Sequence, residues 1–338
     1  MKYWQKRLIE QSENLYDTST QYLDELYDLY FYTSRDINMR IQRLIDGMSD
    51  INYAEAIKSL NEEELKFVKE DLKDFREKSK GVITPEIDRE LDIISRRVRI
   101  SRLQAMEVEI KARTFELLTR EEALLFSYLI KTYETKYTGL TSELSRFTGY
   151  KHIDSVNSNL IKAVIENPWA EDGKNFSKRI WDRRDKLVVS LNNELKTGIV
   201  TGKNPNDIIK SLSNKFNVSK SQAKRLVITE NTAIQSRANF NAFKDMGVSE
   251  YEIFITLDNR TSDICRDLEG KIFKIKDYQV GVTAPPFHPN CRSVAVPFFD
   301  DDIQKEIEKD RMSRNERGKS VRVKDMSYKE WKKQVINN

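Results

Sequence analysis

The chain has 338 residues, 33% of them charged and 38% apolar, with only 11 glycines and 7 prolines. That balance favours long, solvent-bearing helices over sandwiches, barrels or glycine-rich nucleotide folds, and the length suggests two domains. The net charge of +4 is unevenly spread: residues 1–80 carry 13 Lys/Arg against 17 Asp/Glu, residues 174–244 carry 15 against 5, and residues 303–338 carry 11 against 6. One end is suited to meet protein and the other something anionic.

In chain order, Leu23, Leu26, Tyr30, Ile37, Ile41 and Leu44 repeat at helical spacing, with Thr33 or Ser34 filling the gap, and Gly47 closes the helix. Asn61 with Glu64 has the form of an N-cap and its third residue, ahead of a stripe of Leu65, Val68, Leu72 and Phe75. Thr84 then caps a helix with Pro85 in its first position. From Glu86 to Thr138 there is neither glycine nor proline, and Leu91, Ile94, Val98, Ser101, Ala105, Val108, Ala112 and Phe115 mark one seam. A single rod of that length would reach about 80 Å, so a break near Thr119–Arg120 is expected.

Turn formers gather at Asn167–Pro168–Trp169 and Glu171–Asp172–Gly173, where the basic excess begins, and a domain boundary is expected there. Ile180, Leu187, Leu191 and Leu195 predict the next helix, with Gly198 and Gly202 as stops. Asn204–Pro205 opens a short helix, and Ser219 caps another running to about Met246. Only beyond Gly247 does the period become two: Tyr251–Leu257, Lys271–Phe273 and Val294–Val296 are strand candidates. After Phe299 the apolar density falls, and weak helical character remains around Ile303–Arg311. The expected fold class is mainly α with a small C-terminal α+β part. A helical bundle or hairpin spans residues 1–165, a second helical domain ending in a β-rich loop cap spans 166–300, and a charged tail spans 301–338.

Both cysteines and one of the two histidines fall in one short span, Cys265-x22-His288-x2-Cys291. Thiolate and imidazole are preferred zinc ligands, and the Pro289–Asn290 turn sets His288 beside Cys291. The set is one donor short of a structural zinc site; Asp258, Asp263, Asp267 or a water could complete it. Equally, the cysteines could be small buried hydrophobes, or a thiol pair or Cys–His dyad. Glu230 is expected to pair with Arg225 or Arg237. Candidate phosphate contacts are Lys178, Arg179, Arg183, Arg184, Lys220, Lys224 and Arg225, some of which must face their helices' core side.

From Asn167 to Phe298 the chain resembles the Mu F-like family of phage minor head (head morphogenesis) proteins. The likeness rests on Trp169, Ser177–Lys178–Arg179–Ile180, Gly198, Gly202, and Arg225 with Thr229–Glu230. It continues in Thr256-Leu-Asp-Asn-Arg-Thr-Ser-Asp-Ile-Cys265, Leu268-Glu-Gly-Lys271 and Pro285-Pro-Phe-His-Pro-Asn-Cys-Arg292. The resemblance carries Cys265, His288 and Cys291 over as ligand-like positions. Asp258, Arg260, Thr261, Pro289, Asn290, Arg292, Thr229 and Glu230 carry over as its structural motif. Many members have a cysteine where this chain has Ser262, so no tight zinc is implied: the loop would be held by Asp258, Arg260 and local hydrogen bonds, with at most weakly bound zinc and no other cofactor.

The resemblance further implies a protein present in few copies in the virion, inside the capsid at the portal vertex, after assembly in the host cytoplasm. Its partners would be the portal protein, with scaffolding or major capsid protein as further partners, and double-stranded DNA bound non-specifically. Its work would be procapsid assembly and DNA handling or ejection. No membrane role is expected, because no apolar run approaches the roughly 18–20 residues a crossing needs, and Met1–Glu10 is too polar for a secretory signal. Two cysteines make a reducing compartment the default.

No enzymatic turnover is expected. The chain has no P-loop, dinucleotide fingerprint or His-Glu-x-x-His helix, and the tail after Phe299 is too short for an ordinary enzyme domain, although larger relatives can carry toxin or enzyme modules there. The alternatives are a metal- or Cys/His-dependent hydrolase or nuclease, which would need His152 to fold back, or a soluble DNA-binding regulator. A regulator would not need so long an acidic helical N-terminal half.

Overall fold

A computed structural model describes residues 3–148, 156–255, 261–299, 310–314 and 320–324. Four long helices carry it: α1 (Tyr3–Asp46), α5 (Arg102–Thr148), α7 (Phe176–Val200) and α8 (Pro205–Asp245), with the short α2 (Tyr53–Ala56), α3 (Glu62–Lys78), α4 (Pro85–Ser95) and α6 (Ser158–Glu166) between them. The apolar stripe of α1 is buried as its spacing demands, from Leu23 and Leu26 to Ile41 and Leu44. Asn61 and Glu64 form a reciprocal capping box that starts α3, and Pro85 opens α4. The expected fold class holds: the protein is mainly helical, with a small antiparallel sheet near its C-terminal end.

The seam from Leu91 to Phe115 does not run through one helix, and the break is not at Thr119–Arg120. α4 ends at Ser95, Val98 is 82% exposed, and α5 passes Thr119 without interruption. The cause lies at Ser101. Its backbone N–H donates to Gln104 Oε1 at 3.1 Å while its own hydroxyl accepts from the Gln104 N–H at 3.2 Å, a capping box of the Ser-x-x-Gln form. The backbone groups around it are satisfied by residues 58–60: Leu60 N–H donates to the Ile100 carbonyl at 2.8 Å and Arg102 N–H to the Lys58 carbonyl at 3.2 Å.

Two other punctuation marks are reassigned. Gly198 does not stop α7 but lies inside it, where a Cβ would sit 2.7 Å from Ile208 Cγ1; the missing side chain lets α7 and α8 approach. Gly202, with φ +64°, does end the helix. Nor does Ser219 cap a helix: α8 runs unbroken through it, and its buried hydroxyl lies 3.2 Å from Tyr30 Oη, which donates to Glu121 Oε2 at 2.8 Å. Arg183 pairs with the same Glu121. This polar cluster stitches α1, α5, α7 and α8 together inside an otherwise apolar bundle.

The loop at 167–175 turns the chain without dividing its core, for one set of packed apolar residues runs from Leu8 through Leu129 and Ala223 to Val296. Beyond α8, strands β1 (Glu250–Phe254), β2 (Ile272–Lys274) and β3 (Val294–Phe298) form an antiparallel sheet in the order β2-β1-β3. Tyr251 sits opposite Phe273, and Ile253 opposite Ala295. The short α9 (Asp263–Leu268) lies between β1 and β2. In the tail, Asp310–Arg314 is not helical but pairs antiparallel with Ser320–Lys324, whose Val321 and Val323 alternate at period two; residues 303–309 lie outside the described residues.

Candidate functional site

Three local devices bring the scarce sulfur and imidazole groups together. Ser262 caps α9 by accepting from the Cys265 N–H at 3.2 Å, which presents Cys265 inward. Asn290 takes the left-handed conformation (φ 61°) that turns the chain between His288 and Cys291. Cys291 itself closes that turn, its N–H donating to the His288 carbonyl at 3.1 Å.

The result is a triad. Cys265 Sγ lies 3.1 Å from His288 Nε2 and 3.8 Å from Cys291 Sγ, and all three ligand atoms fall within 4.8 Å of one another. His288 turns Nδ1 to the Pro289 carbonyl at 2.8 Å and Nε2 to the Cys265 sulfur at 3.1 Å, so the backbone fixes which ring nitrogen faces the thiols. The Cys291 thiol donates to Cys265. That contact, supported by Ser262, Ser293 and His288, pushes the Cys265 thiol down to about 5, while the same donation and burial push Cys291 up.

The donor set fits a zinc ion. The two sulfurs, 3.8 Å apart, stand at the separation of two thiolates about 2.3 Å from one tetrahedral metal, while His288 Nε2, 3.1 Å from Cys265 Sγ, would have to back away by a few tenths of an ångström to admit it. Of the acids considered for a fourth donor, Asp263 and Asp267 point outward on α9 and do not join the group; Asp258, Arg260 and His152 lie outside the described residues. The two cysteines are therefore not merely packed hydrophobes, since each faces the other and the imidazole.

α8 holds this cap by a row of hydroxyl and amide groups on one face. Thr229 Oγ1 accepts from the Asn290 N–H at 3.1 Å, Thr232 Oγ1 donates to the Cys291 carbonyl at 2.8 Å, Ser236 Oγ lies 2.8 Å from Tyr278 Oη, and Asn239 Nδ2 donates to the Ala295 carbonyl at 3.2 Å. Sequence reasoning singled out only Thr229 among these. The signal was present, since 229, 232, 236 and 239 advance in steps of three and four, the spacing of a single helical face.

Glu230 is buried and its direct contacts are to neither Arg225 nor Arg237, although Arg237 lies near enough for its charge to favour the carboxylate. Its Oε2 accepts from Trp169 Nε1 at 3.0 Å, and Arg179 Nε stands 3.8 Å from Oε1. Arg237 instead donates to the carbonyls of Val164, Asn167 and Pro168. Burial pushes the Glu230 carboxyl up to about 7. Thr261 is half-buried, and its carbonyl accepts from the Arg266 guanidinium at 3.1 Å, whereas Arg292 is exposed beside the triad.

The cationic candidates divide. Arg183 cannot touch phosphate: it is buried against Glu121, because position 183 falls between Ile180 and Leu187 on the core face of α7. Arg179 is half-buried and bound to Asp172 at 2.8 Å, Arg184 stacks over Trp181 and Phe115, and Lys220 lies over the Tyr27 ring. Lys178, Lys224 and Arg225 are exposed. Lys224 and Arg225 border a groove of about 690 Å³ whose wall includes Cys265 and His288. Arg225 also borders an adjoining cleft of about 990 Å³, with Arg179, Lys186 and Trp169.

Residues 190–296 match the family described as Phage Mu protein F like protein, so the resemblance is borne out over α8, the sheet and the triad. The chain is also 26% identical over 254 residues to a protein named NAD(+)--arginine ADP-ribosyltransferase EFV from Enterococcus faecalis (strain ATCC 700802 / V583), across 70% of this chain. It spans about half, 50%, of that relative's length. No solved structure matches. Among the described residues no helix is long and apolar enough to cross a membrane.

Proposed function

With residues 190–296 a Mu F-like segment of a phage head morphogenesis protein, we propose that the chain is a minor head protein that joins the capsid at the portal vertex and contacts the packaged DNA. The carrying observation is the coincidence of that segment with α8 and the latched cap. The part of the chain that is family-like is also the part with the exposed cations Lys224 and Arg225. In this reading residues 1–165 dock on the portal protein, with scaffolding or major capsid protein as further partners. The basic face touches phosphates without reading bases, during assembly and on the DNA's way out.

The triad serves the cap as a brace, with zinc held weakly because Ser262 replaces a thiolate, and the protein performs no turnover. The transferase activity in the relative's name belongs to that protein, half of whose length has no counterpart in the match, and we do not transfer it. A Cys–His nucleophile is disfavoured because Cys265 is 2% exposed and shares its hydrogen bonds with the second thiol, 3.8 Å away. Co-expression with the portal protein of the same phage tests the docking. The two are expected to co-purify; a full-length chain that never retains portal protein refutes it.

A further inference from the structure

We propose that Cys265, His288 and Cys291 hold zinc with three donors only, and that the fourth position opens on the groove beside α8, where it takes an exchangeable oxygen anion of the phosphate class. The inference rests on the zinc reading of the triad and is independent of the role in the phage head.

The donor count comes first. Among the described residues no further Cys, His, Asp or Glu joins the three. Ser262 has its oxygen turned to the Cys265 N–H at 3.2 Å as the cap of α9. Ser293 donates to Cys265 Sγ at 3.3 Å, the place of a group that orients a ligand and does not itself bind metal. Three protein donors and a free position is the arrangement of reactive zinc sites, whereas structural sites close with four.

Access and charge then choose the ligand. Cys265 and His288 form part of the groove wall, so the vacant position faces solvent and not the core. Two thiolates and a neutral imidazole around a divalent ion sum to no net charge, leaving no repulsion against an incoming anion. Lys224 and Arg225, both exposed on α8, border the same groove and supply positive charge beside it. Oxygen anions suit such a pair of cations, and phosphate oxygens are matched by the guanidinium fork of Arg225. The exchange breaks no bond in the phosphate: its oxygen replaces a bound water, which leaves. Inorganic phosphate and the DNA backbone offer the same chemistry.

The full-length protein, stripped of metal and reloaded with cobalt(II), tests this by absorption spectroscopy. Thiolate-to-cobalt bands report Cys265 and Cys291, and the ligand-field bands report the fourth position. Inorganic phosphate is expected to shift the ligand-field bands saturably. Lys224→Ala with Arg225→Ala should weaken that titration without altering the anion-free spectrum, and Ser262→Cys should add thiolate intensity and lose the shift. A parallel titration with short duplex DNA assigns the source: a shift there means backbone phosphate, and a shift with inorganic phosphate alone means the free ion. Thiolate bands with a ligand-field spectrum that neither anion moves overturn the open position while leaving the three-donor site standing. Absence of thiolate bands overturns both.

Discussion

Two buried ionisable side chains give opposite dependences on pH. Glu230 is buried with one oxygen on Trp169, and burial raises its carboxyl from 4.5 to about 7. The folded protein therefore holds a proton that the unfolded chain releases. That stabilisation is whole below about pH 4.5 and is lost as pH rises through 7. Lys136 is fully buried, its Nζ donating to the Ser12 hydroxyl at 2.9 Å, and desolvation lowers it from 10.5 to about 7. Here the unfolded chain binds the extra proton, so stability rises between about pH 7 and 10.5. Glu230→Gln is expected to raise stability at pH 8 by about 2–3 kcal/mol, and Lys136→Met to raise it at pH 6 by on the order of 3 kcal/mol. Melting curves of each variant against wild type across pH 5–9 check both signs; a difference that does not vary with pH contradicts the assigned burial.

Which side chains belonged to the site was legible at this scale from scarcity. Two cysteines and a histidine in one short span pointed to Cys265, His288 and Cys291, and they meet. Long-range polar partners were not legible. Ser219 reads locally as a helix cap because its hydroxyl's real neighbour, Tyr30, is 189 positions away, and Arg183 reads as a free cation because Glu121 is 62 positions away. The core-facing spacing of 183 with Ile180 and Leu187 was the available correction.

At the scale of elements, the helices follow from their stripes and caps, and the errors follow from punctuation. The Ser101–Gln104 capping box lies inside a heptad-like seam, so the apolar pattern hides the linker at 96–101 and points to Thr119 for the break. Gly198 has the look of a stop, but glycine inside a helix also marks a close crossing. There the α7–α8 contact leaves no room for a methyl group, with Ile208 Cγ1 2.7 Å from where a Cβ would lie. Gly198→Ala is expected to destabilise by about 1–3 kcal/mol despite alanine's better helix propensity. Ile208→Val in the same chain should recover part of the loss, since it removes the Cδ1 methyl that would stand 3.1 Å away. Urea unfolding of the single and double variants measures this, and a stabilised Gly198→Ala would mean that the helices do not cross here.

For the whole molecule, the acidic N-terminal part and the basic α7–α8 face share one core, so the proposed docking and the proposed DNA contact would both be properties of a single packed body. With Arg183 buried and Arg179 and Arg184 engaged, about four cations remain for phosphates: Lys178, Lys186, Lys224 and Arg225. Counterion release for that number predicts that duplex affinity falls about 100-fold between 50 and 200 mM salt, with no sequence preference. Lys224→Ala with Arg225→Ala should lower the log–log salt slope by roughly 2. Binding that is insensitive to salt, or unchanged in the double variant, places any DNA contact elsewhere.

The most direct measurement is a protein inventory of purified phage particles and procapsids by quantitative mass spectrometry. A minor head protein is expected at a few copies per particle, against hundreds for the shell protein, and in procapsids before DNA enters. Particles and procapsids that both lack the chain, in a lysate where it is abundant, would contradict the assignment to the phage head.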